Sequence, residues 1–212
     1  MGYKKFVSMN IAVIGTGKIA ATYGIRYARA GHDVFIALKG GNNTNTELIQ
    51  SLVLYDNIVV CSIEDAAAVA DIIVIASAPG DVREIAYWLG DVRGKVILDA
   101  TANIHAATDE QVNTYGVIKA ITGSQHVVKV FSTRGYEQLL KPLFQKDKIQ
   151  LILAGDSKKA KEITKILTID LGVKDFVDLG AEDTIPLFDE LTKCWRNLVA
   201  KSAAENKKIN TI

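Results

Sequence analysis

Asn10-Ile11-Ala12-Val13-Ile14-Gly15-Thr16-Gly17-Lys18-Ile19-Ala20 is the stretch that decides the fold of this chain. A short apolar strand runs into a glycine turn, and the turn opens a helix-forming run that stops at Gly31. The pattern is G-x-G-x-x-A between a strand and a helix, the phosphate-gripping corner of a dinucleotide-binding βαβ unit. Each position has a physical task. Gly15 permits the tight turn out of the strand. Gly17 has no Cβ, so a pyrophosphate can approach the backbone there. Ala20 is small where the helix must lie close to the sheet, and Gly24 repeats that smallness one turn on. The N–H groups and positive end of the new helix then face the phosphates. Gly15, Thr16, Gly17, Lys18 and Ile19 are the predicted cofactor-binding turn.

Working outward, apolar runs and helical stretches alternate. Strands are predicted over Val34–Ala37, Ile58–Val60, Ile72–Ile75, Val96–Leu98, His126–Phe131, Ile149–Leu153 and Val173–Val177. Ile72-Ile73-Val74-Ile75 is apolar throughout, as expected of a parallel strand covered on both faces. The fold class is therefore α/β, a Rossmann-type doubly wound, mostly parallel sheet with a small C-terminal α/β extension ending in a long helix. Residues 9–140 form the expected nucleotide domain, and residues 141–212 the extension packed on it. Val117-Ile118-Lys119 reads as a short segment along the surface. The last helix, from about Thr184 to Ala203, repeats Leu187, Leu191, Cys194, Trp195 and Leu198 at three and four, a stripe that is either core or the face of a homodimer.

In open α/β sheets, ligands bind outside the carboxyl ends of the strands. Three such loops are polar. Ser77, Ala78 and Pro79 follow the fourth strand and form a wall for the cofactor's central and nicotinamide-side ribose. Asp99-Ala100-Thr101-Ala102-Asn103 follows the fifth; Thr101 and Asn103 suit a carboxamide or ribose hydroxyl, and Asp99 is read equally as a turn cap. Ser132-Thr133-Arg134 follows the sixth, and Arg134 is either an anion holder or an exposed loop arginine. Thr101, Ser132 and Thr133 are positioning candidates; none of the loops offers an obvious base. His32 and His126 read as structural.

The cofactor's second phosphate is read at the end of the second strand. An NAD site usually has Asp or Glu there. This chain has Leu38-Lys39-Gly40-Gly41-Asn42, and Lys39 would attract a 2′-phosphate as a point charge. The expected cofactor is NADP(H).

Composition sets the bounds. The 212 residues suffice for one α/β domain with an appendage, 49% are apolar, and the formal net charge is +1, so no nucleic-acid partner is expected. Cys61 and Cys194 are isolated, so no disulfide framework or metal site is expected and a reducing cytoplasm is the default. Asp71 and Asp81 bracket the longest apolar run, too short to span a membrane. Met1–Ser8 lacks the apolar core of a signal peptide.

Several stretches together resemble a known family. They are Ile11–Ala20, Ala30-Gly-His-Asp-Val34, Ala76-Ser-Ala-Pro79, Gly94–Thr101, Lys129-Val-Phe-Ser-Thr133, Ala154-Gly-Asp156 and Asp178-Leu-Gly180. The chain resembles the deazaflavin (coenzyme F-420)-dependent NADP oxidoreductases over about Asn10 to Ala200. The resemblance implies NADP(H) over Gly15–Ala20 and Lys39 on the 2′-phosphate. It also implies a hydride acceptor, coenzyme F-420 or a flavin, in the cleft by Pro79, Thr101 and Ser132–Arg134. Gly80 stands where deazaflavin users often carry a bulky aromatic, and Lys39 replaces the usual arginine, losing a bidentate grip. The alternatives are an NADP(H)-binding sensor or electron relay without turnover, and a reductase of a small imine or ketone, which usually needs a longer helical domain. Lys39→Glu is expected to reverse the cofactor preference, weakening NADP+ at least tenfold and leaving NAD+ the tighter ligand by titration; equal affinities in the unmutated protein would refute the assignment.

Overall fold

The computed structural model describes residues 8–15, 17–37, 52, 54–101, 112–132, 150–173, 175–194 and 197, with the backbone alone at 18, 132 and 150. β1 (Asn10–Ile14) enters the glycine turn, and α1 (Lys18–Ala30) leaves it. Gly31, in the left-handed region at φ 95°, ends α1 by bonding back to Ala28 and Tyr27 carbonyls. Then come β2 (Asp33–Ala37), β3 (Ile58–Cys61), α2 (Ile63–Val69) and β4 (Ile72–Ile75). Ser62 caps α2 as its sequence predicts, its hydroxyl accepting from Asp65 N–H at 3.0 Å. A 3-10 turn at Pro79–Asp81 leads into α3 (Val82–Trp88), followed by β5 (Val96–Asp99), α4 (Thr114–Thr122) and β6 (Val127–Ser132). β7 (Gln150–Ala154), α5 (Lys158–Asp170), β8 (Asp175–Asp178) and α6 (residues 185–194) complete the described chain.

The strands form one eight-stranded sheet in the order β3-β2-β1-β4-β5-β6-β7-β8. The first six are parallel; β7 runs antiparallel to β6, and β8 parallel to β7. This is the doubly wound order, and it reverses between β1 and β4. One face of the sheet buries Ile11, Val13 and Val74 against Tyr23 and Tyr27 of α1 and Leu167 of α5. The other buries Ile14, Ile73 and Ile97 against α2, α3 and α4, and against Ile185 and Phe188 of α6. Double coverage is why β4 carries no polar residue: all four of its side chains are buried.

One expectation is corrected. Val117-Ile118-Lys119 is not a surface segment but the middle of α4, with Tyr115 and Ile118 buried. Its boundary signals flank the apolar run: the Asn113 side chain accepts from Gly116 N–H, and Gly123 supplies the left-handed end. Burial overrides the low helix propensity of its β-branched residues. In α6 the buried line is Ile185 and Phe188, whereas Leu187 and Leu191 of the predicted stripe are 55% and 40% exposed. Trp195 and Leu198 lie outside the residues described by side chain, as do the helices expected over Thr46–Leu54 (apart from Leu52 and Leu54) and Tyr136–Leu140. No described helix is long and apolar enough to cross a membrane.

Phe188 of α6 is buried in the core on the second face of the sheet. Phe188→Ala is expected to cost about 3–5 kcal/mol in denaturant unfolding; a loss under about 1 kcal/mol would show that α6 is not docked in solution.

Candidate functional site

The carboxyl ends of β1, β4 and β5 meet at the reversal point of the sheet. Hydrogen bonds stitch them past the ends of the strands: Gly15 N–H donates to Ala37 O at 3.1 Å, Ala76 N–H to Ile14 O at 2.8 Å, and Ala100 N–H to Ile75 O at 2.9 Å. Gly15 sits at φ +152°, and a Cβ there would run into the Ala76 carbonyl. No other residue suits that position.

Gly17 is glycine for a different reason. Its backbone is ordinary and extended, at φ −95° and ψ 172°. A Cβ built there meets no atom of the other described residues within 4 Å, its chain neighbours and its own helix backbone aside. The bareness of Gly17 therefore leaves space beside the chain rather than relieving a clash within it. Directly behind it, α1 begins with no side-chain cap and no acidic residue in its first turn. A helix start whose N–H groups lack a side-chain partner and face open space suits an anion. A dinucleotide's pyrophosphate fits this corner.

The loop after β4 brings Ser77, half-buried, and Ala78, exposed, alongside; Pro79 opens the 3-10 turn into α3. The Ser77 hydroxyl reaches only its neighbour's carbonyl, Ala78 O, at 3.4 Å. Thr101 is the last described residue after β5. Thr16, Lys39, Asn103, Thr133 and Arg134 lie outside the described residues, and Lys18 and Ser132 are placed by backbone only. His32 and His126 sit at the opposite, amino ends of the strands. Met9 N–H donates to His32 Nδ1, leaving Nε2 to donate to Asp170 at 3.1 Å, and His126 meets the Ser157 hydroxyl at 3.0 Å. Both are structural.

Behind Thr101 the structure assembles a buried polar cluster that sequence reading did not. Asp99 and Lys129 are register partners on neighbouring strands, so their side chains emerge together on the face covered by α4 and α6. The Asp99 carboxylate accepts Thr101 N–H at 3.1 Å, Thr101 Oγ1 at 2.5 Å, Thr114 Oγ1 at 2.6 Å and Lys129 Nζ at 3.0 Å. Asp99 thus caps its own turn and anchors the cluster as well. Lys129 also donates to Thr114 Oγ1 at 2.7 Å and pairs with Asp189 of α6 at 3.5 Å. Burial pulls the Lys129 amine down, but the Asp99 and Asp189 carboxylates outweigh it and hold its pKa above the usual lysine value. Burial raises the Asp189 carboxyl; Lys129 opposes this and Asp99 adds to it, and the balance is upward. The signal for the cluster was present in the sequence. Lys129 is the one charge inside Val127-Val-Lys-Val-Phe131, and a charge in a strand covered on both faces must be paired.

The fold and the bare, uncapped corner over Gly17 are those of a Rossmann-type dinucleotide-binding class. Residues 10–103 of the chain match the model of the family described as NADP oxidoreductase, coenzyme F420-dependent. No curated protein sequence matches it. Among solved structures it is similar to a protein of Arthrobacter sp. FB24 proposed as an F420-dependent NADP-reductase (22% identity, TM-score 0.76, covering 92% of this chain and 96% of that one). It is also similar to an imine reductase from Pseudomonas sp. (14%, TM-score 0.69, covering 92% and 64%). A third is a reductive aminase from Aspergillus terreus solved with NADPH4 (13%, TM-score 0.67, covering 92% and 63%). At these identities the structural likenesses establish the fold.

Removing the cation at the centre of the cluster leaves Asp99 buried beside no counter-charge. Lys129→Met is expected to lower unfolding free energy by about 3–5 kcal/mol. Because the raised folded pKa of Lys129 makes its contribution complete below the ordinary lysine value and lost as pH rises through the folded one, the unmutated protein should lose stability in that alkaline window and the variant should not. Parallel alkaline melting curves would contradict this.

Proposed function

We propose that the protein is an NADP(H)-dependent oxidoreductase that passes hydride between NADP(H) and a flavin-like or deazaflavin acceptor. The observation that carries the cofactor reading is the open space at Gly17, set against an α1 start that has neither a side-chain cap nor an acidic residue. The first-turn N–H groups hold the pyrophosphate, and Lys39 holds the 2′-phosphate. Ser77, Ala78 and Pro79 wall the nicotinamide side, and Thr101 lies against the nicotinamide end. NADP(H), when bound, supplies or takes the hydride.

The acceptor reading rests on what the cleft lacks. The described loop residues after β1, β4 and β5, up to Thr101, carry no titratable side chain. Asp99, just before them, is fully committed to Thr101, Thr114 and Lys129. Hydride passing between two stacked rings needs orientation and exclusion of water more than an acid or base. The similarity to the Arthrobacter protein over nearly the full length of both chains supports the same reading.

The test pairs a binding variant with an acceptor panel. Gly17→Val is expected to weaken NADPH at least tenfold, because its side chain enters the space of the pyrophosphate, while the melting temperature stays within a few degrees, because no described residue crowds a Cβ there. With FMN, FAD, the deazaflavin and ferric chelates, loss of the NADPH absorbance band is expected with a flavin or the deazaflavin. Tight binding with no oxidation by any acceptor would overturn the enzyme reading in favour of a binding module. Unchanged NADPH affinity in Gly17→Val would overturn the site.

A further inference from the structure

We propose that Thr101 acts on the bound nucleotide only as a hydrogen-bond acceptor and recognises the N–H2 group of the nicotinamide carboxamide. This rests on the NADP(H) reading and adds a specificity-determining contact to it. The argument is a count of protons. Thr101 Oγ1 lies 2.5 Å from Asp99 Oδ1, and Thr114 Oγ1 lies 2.6 Å from Asp99 Oδ2. Two oxygens approach so closely only with a proton between them. The Lys129 ammonium at 3.0 Å provides the counter-charge of an ionised Asp99, so those protons come from the two threonines.

The rest of the count closes. The three Lys129 protons face Asp99 Oδ2, Thr114 Oγ1 and Asp189 Oδ1. The 3.0 Å approach of Thr101 Oγ1 to Thr114 Oγ1 has no proton left to fill it. Every donor of the cluster therefore points inward. Thr101 is 7% exposed, and an oxygen whose own proton is given to Asp99 can only accept from a ligand. A lone serine or threonine on a loop would rotate its proton to suit either a carbonyl or an amine. Here that freedom is removed. Lys129, Asp99 and Thr114 are positioning residues that set the polarity of Thr101.

The location gives the polarity a target. Thr101 stands at the carboxyl end of β5, one strand from the reversal point, and Ala100 N–H is bound to Ile75 O of β4 beside it. A nucleotide whose pyrophosphate lies on α1 carries its nicotinamide toward this end of the sheet. The carboxamide offers both a carbonyl and an N–H2, and an acceptor-only hydroxyl selects the N–H2 and turns the amide accordingly.

Three nucleotides separate these features: NADP+, thionicotinamide-NADP+, which keeps the N–H2, and 3-acetylpyridine-NADP+, which keeps the carbonyl and replaces the N–H2 with methyl. In titrations of the unmutated protein, the first two are expected to bind alike and the acetylpyridine analogue about three- to tenfold more weakly. Thr101→Val should bring all three within about twofold of one another, and Thr101→Ser should restore the discrimination. The ratio is taken within each folded variant, so a general loss of stability in Thr101→Val leaves it unchanged. Equal binding of NADP+ and the acetylpyridine analogue by the unmutated protein would overturn the inference, as would an unchanged ratio in Thr101→Val. Failure of the unmutated protein to bind any of the three would overturn the NADP(H) reading itself.

Discussion

The contact on which the rest depends is the approach of Gly15 to the carbonyl of Ala76. There β1 and β4 leave the sheet side by side, at the point where the strand order reverses. Any side chain at Gly15 would push the two loops apart. Their closeness lets α1 start directly over the crevice, and Gly24 extends the same economy of space, since a Cβ there would strike Ile36 of β2. The two glycines of the turn thus do different things. One is bare because the protein is crowded; at the other no described residue crowds the position at all.

A second constraint holds the far side of the cleft. Burying Lys129 between carboxylates is costly unless each proton finds a partner, and here each does. The cluster draws on β5, β6, the start of α4 and α6, and it ties the last helix to Thr101. The cation also lies 5.9 Å from the Phe188 ring, so the polar cluster and the apolar core share one helix. A site made of small loop residues needs such a backing. Those side chains have little reach of their own, and their positions are only as firm as the strands and caps behind them.

Much of this was legible before any coordinates. The glycine corner, the order of strands and helices, and the Ser62 and Ser157 caps follow from local rules: apolar runs of strand length, side chains that can accept from a helix's first N–H groups, and residues too small to clash. What was misread was misread for local reasons too. The run Val117-Ile118-Lys119 has strand-like composition, and its caps at Asn113 and Gly123 outweigh that composition only because Tyr115 and Ile118 find a sheet to lie on. In α6 the spacing of Leu187 and Leu191 left core and homodimer face both open. Position along the sheet put Ile185 and Phe188 in the core, because periodicity gives the width of a face but not which neighbour it meets.

The sequence by itself determined the βαβ corner and the parallel doubly wound class, because these depend on residues within a few positions of one another. Only the tertiary structure decided what stands behind Thr101. Asp99, Thr114, Lys129 and Asp189 are far apart along the chain, and strand register with helix docking brings their charges and hydroxyls within hydrogen-bond or ion-pair distance. Which way the Thr101 proton points is a property of that assembly, since a hydroxyl takes its direction from its partners and no spacing in the sequence names them.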